Sequence, residues 1–129
     1  MTETPVDPVG DVVSIVGESR IREMVAAFYR RVRQDDLIGP MYPEQDFAGA
    51  EQRLAGFLVQ RFGGSGEYSR QRGHPRLRMR HAPFQVDRSA RDRWMKLMGA
   101  AIAEVELEDS VRARVHTFLD EVATFLINC

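Results

Sequence analysis

Cysteine is almost missing from this chain. The only one among 129 residues is the last, Cys129, which excludes an intrachain disulfide and predicts a reducing, cytoplasmic setting for a free terminal thiol. Long apolar runs are missing as well. No stretch approaches the roughly 20 residues that span a bilayer, so no membrane span is expected, and Met1 to Pro8 has neither the basic start nor the apolar run of a signal peptide. An excess of one charge is also lacking: 18 Lys and Arg face 19 Asp and Glu, so nothing global draws the chain to nucleic acid or an anionic membrane. There is no strand-like alternation, no repeat, and no glycine pattern placed as a phosphate loop would be. What is present is ordinary for a soluble globular protein, 43% hydrophobic and 29% charged, and long enough for one domain over 1–129 with a real core.

Residues 1–10, with two prolines among Thr2 to Pro8, read as a flexible tail leading into a short helical turn at Val12 to Val16. Ser19 is placed to cap a helix in which Ile21, Met24, Val25, Phe28 and Val32 recur at three- and four-residue spacing. Tyr29 lies at the edge of that stripe, where burial of its ring obliges its hydroxyl to find a partner. Gly39, Pro40 and Pro43 then break the chain into a corner bearing Tyr42. Asp46 offers the next cap, before an apolar face of Phe47, Ala50, Leu54, Phe57, Leu58 and Phe62 that stops at Gly63-Gly64, with Arg53 and Arg61 flanking it. Ala50 places only a methyl group one turn before Leu54. Gly63 to His74 shows no apolar period and reads as a long connection. Asp87 or Ser89 starts a helix with Trp94, Leu97, Met98, Ala101, Ile102 and Val105 on one side. The last helix, about Glu108 to Ile127, turns Val111, Val115, Phe118, Leu119, Val122, Phe125 and Leu126 inward, with His116 beside the stripe. The fold class is all-α.

The chemistry concentrates in Gly73 to Phe84, G-H-P-R-L-R-M-R-H-A-P-F. Pro75 can open a helix and Pro83 blocks its continuation, so His81 stands at the end of a short helix. Leu77 and His81, four apart, share a face; Arg76 and Arg80 lie on a neighbouring one. An apolar residue, an imidazole and guanidinium groups suit an apolar, anionic, metal-bearing ligand. Haem is one, since its iron takes an imidazole and its propionates want cations. Two other readings stand beside it. Arg70, Arg72, Arg76, Arg78 and Arg80 can form a solvated face, or an anion- or nucleic-acid-binding surface on a helical module without haem. His74 and His81 could also hold a bare metal, though no further ligand completes a set at suitable spacing.

Taken together, several motifs resemble the group II truncated haemoglobins of actinobacteria. They are A-A-F-Y at Ala26 to Tyr29, M-Y-P-E at Met41 to Glu44, A-G-A-E-x-R-L at Ala48 to Leu54, the Gly73 to Phe84 stretch, and R-D-x-W at Arg91 to Trp94. The resemblance spans about Val12 to Asn128. It implies a globin-like, two-over-two helical sandwich in which the pair Ser19–Gln34 and Asp46–Arg61 crosses the pair Asp87–Val105 and Glu108–Ile127, with the His81 helix hung from a long loop. It implies haem b with His81 as iron ligand, and Tyr29, Tyr42 and Trp94 as the polar residues on the ligand side. Ala50 stands where many globins carry a distal histidine. Leu54, Phe57, Leu58, Leu77 and Phe84 would wall the haem, Arg53 and Arg80 would pair with propionates, and Tyr68 could reach one too. The implied partners are dioxygen, carbon monoxide and nitric oxide. Tight retention of dioxygen would suit nitric oxide dioxygenation, peroxidase-like oxidation or sensing better than bulk oxygen transport, and turnover would call on an external reductase. The resemblance leaves room for a homo-oligomer.

Overall fold

The computed structural model describes residues 7–42, 46–73, 76, 81 and 85–129. Among them are six α-helices and no strand: α1 (Val12–Val16), α2 (Glu18–Val32), α3 (Phe47–Arg61), α4 (Glu67–Arg72), α5 (Arg88–Glu104) and α6 (Asp109–Phe125), with a 3₁₀ turn at Gly39–Met41. The apolar spacing of α2 explains its place. Ile21, Met24, Val25, Phe28 and Val32 are each 0% exposed, because residues three and four apart line one stripe and that stripe is covered on two sides. The helix packs against both α3 and α5, α5 packs against α6, and α1 and α4 lie on α2 and α3. Burying each such side chain contributes roughly 1.5–3 kcal/mol, so α2 anchors the sandwich. This is the globin-like two-over-two arrangement expected from the sequence.

Charged pairs join the same helices at their rims. Glu104 of α5 receives both Arg30 and Arg31 of α2, and Arg20 donates to the Val105 carbonyl at 3.1 Å. Arg91 links α5 to α6 through Asp120 and, at 3.2 Å, the Thr124 hydroxyl.

Several local expectations are corrected. Ser19 does not cap α2, which begins a residue earlier after Gly17, whose φ of 87° turns the chain out of α1. Asp46 occupies the N-cap of α3, but its carboxylate accepts from Arg53 at 2.7 Å in place of a backbone N–H. Asp87 is the start signal that holds, accepting from the Ala90 N–H at 2.8 Å. The connection after Gly64 contains α4, too short to show a period and held from outside: Gln60 accepts from the Ser69 N–H at 2.9 Å and donates to its hydroxyl at 2.7 Å.

Residues 7–10, expected in the flexible tail, are fixed. Val9 is fully buried, Asp7 pairs with Arg61, and Arg114 donates to the Pro8 carbonyl at 3.0 Å. The glycine at 63 makes this possible, because a Cβ there would meet the Gly10 carbonyl oxygen at 2.1 Å and its φ is 93°. Phe125, placed inward by periodicity, is 56% exposed at the end of α6, and Ala123 is buried instead. No helix of the described residues is long and apolar enough to cross a membrane.

Candidate functional site

Five aromatic rings from three helices and the Tyr42 corner form a continuous file. Phe28 lies 5.0 Å from Trp94 and 5.1 Å from Tyr29, Tyr29 lies 5.6 Å edge-on to Tyr42, and Tyr42 lies 5.8 Å from Phe47. The sequence places each member for a local reason. Tyr29 follows Phe28 on the buried side of α2 and is 3% exposed. Trp94 stands on the second turn of α5, whose start is fixed by the Asp87 cap and by Arg91 gripping α6. Tyr42 comes at the end of the corner, where the Tyr42 N–H closes on the Gly39 carbonyl at 3.1 Å. Gly39 lets that corner press on α2, since a Cβ there would meet the Val32 carbonyl oxygen at 2.7 Å.

The polar tips of this file converge. The Tyr42 hydroxyl lies near the hydroxyl of Tyr29 and the indole of Trp94. None of these contacts has the distance and angles of the hydrogen bonds elsewhere among the described residues, so the donors are held close without being consumed. Burial pushes the Tyr29 hydroxyl well above its ordinary range, and neighbouring Tyr42 adds to this. Burial raises Tyr42 too, against the opposing effect of donation from Tyr29 and Trp94. All three side chains are therefore neutral hydrogen-bonding groups near neutral pH.

Beside them runs the outer face of α3. Ala50 and Leu58 are buried, while Leu54 and Phe57 keep part of their surface. Tyr68, 8% exposed, packs edge-on to Phe57 at 5.7 Å and is carried there by the Gln60–Ser69 bonds. Trp94 and Leu97 of α5 are likewise packed on the core yet not fully covered. Arg53 bonds Asp46, with room made by Gly49, and its charge is felt at Tyr29. His81 is helical and half-buried. Its carbonyl accepts from Asn128 Nδ2 at 3.4 Å, and Asn128 also exchanges bonds with Val86, at 2.9 Å through its side chain and 2.8 Å through its backbone N–H. The expectations for His74, Leu77, Arg78, Arg80 and Phe84 lie outside the described residues, as does most of the proposed His81 helix.

Three site neighbours escaped the sequence reading: Asp35, Arg93 and Asn128. Asp35 carried a local signal, an Asx-type turn before Gly39-Pro40. Arg93 and Asn128 bond across dozens of residues and carried none.

This all-helical frame, with a polar aromatic corner set against a half-covered apolar helix face, defines a globin. The sequence pattern of the bacterial-like globins matches residues 13–128. The group 2 truncated hemoglobin YjbI of Bacillus subtilis is 33% identical over 113 residues, spanning 88% of this chain and 85% of that protein. A thermostable hemoglobin from the actinobacterium Thermobifida fusca superposes with a TM-score of 0.86 at 39% identity, over 88% of this chain and 93% of that one. A truncated oxygen-avid haemoglobin from Bacillus subtilis does so with 0.85 at 32% identity, over 90% and 98%. The chain belongs to the bacterial-like globins and, within them, to the group II truncated haemoglobins.

Membership carries haem b as cofactor and haem-based binding of dioxygen. The described residues fit that group. Large apolar side chains (Leu54, Phe57, Trp94 and Leu97) are left half-covered. One imidazole suffices when a macrocycle supplies the other ligands.

Proposed function

We propose that this globin retains dioxygen tightly enough to serve chemistry on the bound gas, such as oxidation of nitric oxide with an external reductant, in preference to bulk carriage. The observation that carries the reading is the convergence of buried Tyr29 with the partly covered Tyr42 and Trp94 in one corner. In this reading His81 holds the iron, Ala50 leaves space in place of a distal imidazole, and Leu54, Phe57 and Leu58 wall the macrocycle. Arg53 and Tyr68 stand at its edge toward the propionates, Arg53 by turning from Asp46. Haem supplies an open coordination position for a diatomic gas.

The chain's own contribution is the donor set. The hydroxyls of Tyr42 and Tyr29 can turn to a polar ligand, and Trp94, which can only donate, can aim its indole N–H at the same ligand. A neutral hydrogen bond is worth roughly 0.5–1.5 kcal/mol and one to a charged acceptor roughly 1.5–3. Two such donors together therefore slow release of a polar gas by about a hundredfold. Phe28 and the buried part of α3 exclude water that would compete for the same acceptor.

The test is stopped-flow release of dioxygen and carbon monoxide from the ferrous, haem-loaded protein. Tyr42→Phe and Trp94→Phe each keep their ring and lose the donor, and each is expected to speed dioxygen release at least about tenfold, with a smaller effect on the less polar carbon monoxide. Equal, small changes for both gases would reduce the corner to packing. The alternative of a haem-free, anion-binding module rests on the Arg70 to Arg80 stretch, of which Arg70, Arg72 and Arg76 are among the described residues and exposed, and no observation favours it.

A further inference from the structure

Asp35 and Arg93 form the most buried ion pair among the described residues. The Asp35 side chain is 7% exposed and that of Arg93 33%, whereas every other paired carboxylate is at least 40% exposed. Arg93 Nη1 donates to Asp35 Oδ1 at 2.6 Å, while Asp35 Oδ2 accepts the N–H of Leu37 at 3.0 Å and of Ile38 at 2.8 Å. Exposed pairs contribute little, but a carboxylate this covered and this fully bonded holds its surroundings in one geometry.

The bonds lead from α5 into the turn that carries Tyr42. From Ile38 the turn continues through its carbonyl to the Met41 N–H at 3.1 Å, and the Gly39 carbonyl takes the Tyr42 N–H at 3.1 Å. Tyr42 faces Trp94, and Trp94 is the residue after Arg93 on α5. Arg93 thus grips, through Asp35, the base of the corner whose tip meets its own neighbour. The corner is tied to α2 at the same place, Asp35 N–H to the Val32 carbonyl at 3.0 Å.

The geometry points to Asp35 and Arg93 as positioning residues that set how Tyr42 and Trp94 face the bound gas, and so how long dioxygen is retained. This rests on the proposed role of those two donors, and the experiment separates the two ideas. Asp35→Asn keeps an acceptor for the turn's N–H groups and loses the charged pair. Arg93→Gln removes the pair from the other side, and Arg93→Lys restores charge with a single donor. All are compared, haem-loaded and ferrous, with Tyr42→Phe and Trp94→Phe.

Asp35→Asn and Arg93→Gln are expected to speed dioxygen release about three- to tenfold, to change carbon monoxide release less than about twofold, and to shift or broaden the infrared C–O stretch. Arg93→Lys should recover part of both effects. The double variant should be no faster than the faster single one, since both remove the Asp35–Arg93 bond and the 3.3 Å contact of Arg93 with Asp36, 94% exposed, adds little. If Tyr42→Phe or Trp94→Phe speeds dioxygen release while Asp35→Asn and Arg93→Gln leave the rate and the C–O stretch unchanged, or speed both gases equally, the pair has no positioning role and this inference falls alone. If the donor variants themselves change nothing, the proposed function falls first.

Discussion

Removal of the Asn128 side chain tests how the His81 segment is held. Asn128 lies three residues past α6, and its side chain reaches back to His81 and Val86 from the far end of the chain. Asn128→Ala deletes the 2.9 Å bond to the Val86 N–H and the long 3.4 Å bond to the His81 carbonyl, and leaves the 2.8 Å backbone bond to the Val86 carbonyl intact. One well-formed bond is worth roughly 0.5–1.5 kcal/mol net. The second is marginal by its length, and the exposed position lets water satisfy the freed Val86 N–H, so the loss should total about 1 kcal/mol. If His81 holds the iron, that loss falls on the haem-bound state, because it is the registration of the His81 backbone that is relaxed.

Haem should then leave about fivefold faster, read as transfer from the ferric protein to an excess of an apo-globin acceptor. The thermal midpoint should move little, since the helix pairs are untouched. Asn128→Asp supplies a second point: it keeps the acceptor for Val86 but loses the donor to His81, so it separates the two bonds. A haem-loss rate for Asn128→Ala within about twofold of wild type would refute the clamp.

Two further outcomes concern stability. Leu119→Ala, at a site 1% exposed in α6, should cost roughly 2–5 kcal/mol in denaturant unfolding of the haem-loaded protein, whereas Ile15→Ala, at 39% exposed, should cost well under half of that; equal losses would show that the α5–α6 core is not where stability resides. Burial of Asp35 favours its neutral form, but the N–H groups of Ile38 and Leu37 and the guanidinium of Arg93 outweigh this and hold its carboxyl below the usual range. Its contribution is therefore fully present above about pH 4 and lost as pH falls through the lowered value, so the gap in urea midpoint between wild type and Asp35→Asn should be constant from pH 5 to 7 and shrink below about pH 4; a gap independent of pH would refute the linkage.

How far the sequence could be read depends on how far apart the interacting residues lie. The stripe of α2 was legible because its five spaced residues all face the same packed neighbours, and Asp87 was legible because a cap and its N–H are three residues apart. Ser19 and Asp46 looked equally good as caps, but Gly17 already turned the chain two residues before Ser19, and Asp46, though at the N-cap position, gave its carboxylate to Arg53. The helix α4 left no trace because six residues cannot show a period and its restraints come from Gln60 and Phe57. Phe125 kept the right spacing after its helix had run past anything to cover it.

The same limit divides the candidate site. Tyr29, Tyr42 and Trp94 could be picked out as residues, each from its own segment, but their meeting depends on a corner built 52 positions before Trp94 and braced by Arg93 across 58. A donor's identity is local information, whereas its direction is set by whatever holds the far end of the turn. In this globin a covered carboxylate holds that end, so the residues that set the affinity of the corner need not be the ones that touch the gas.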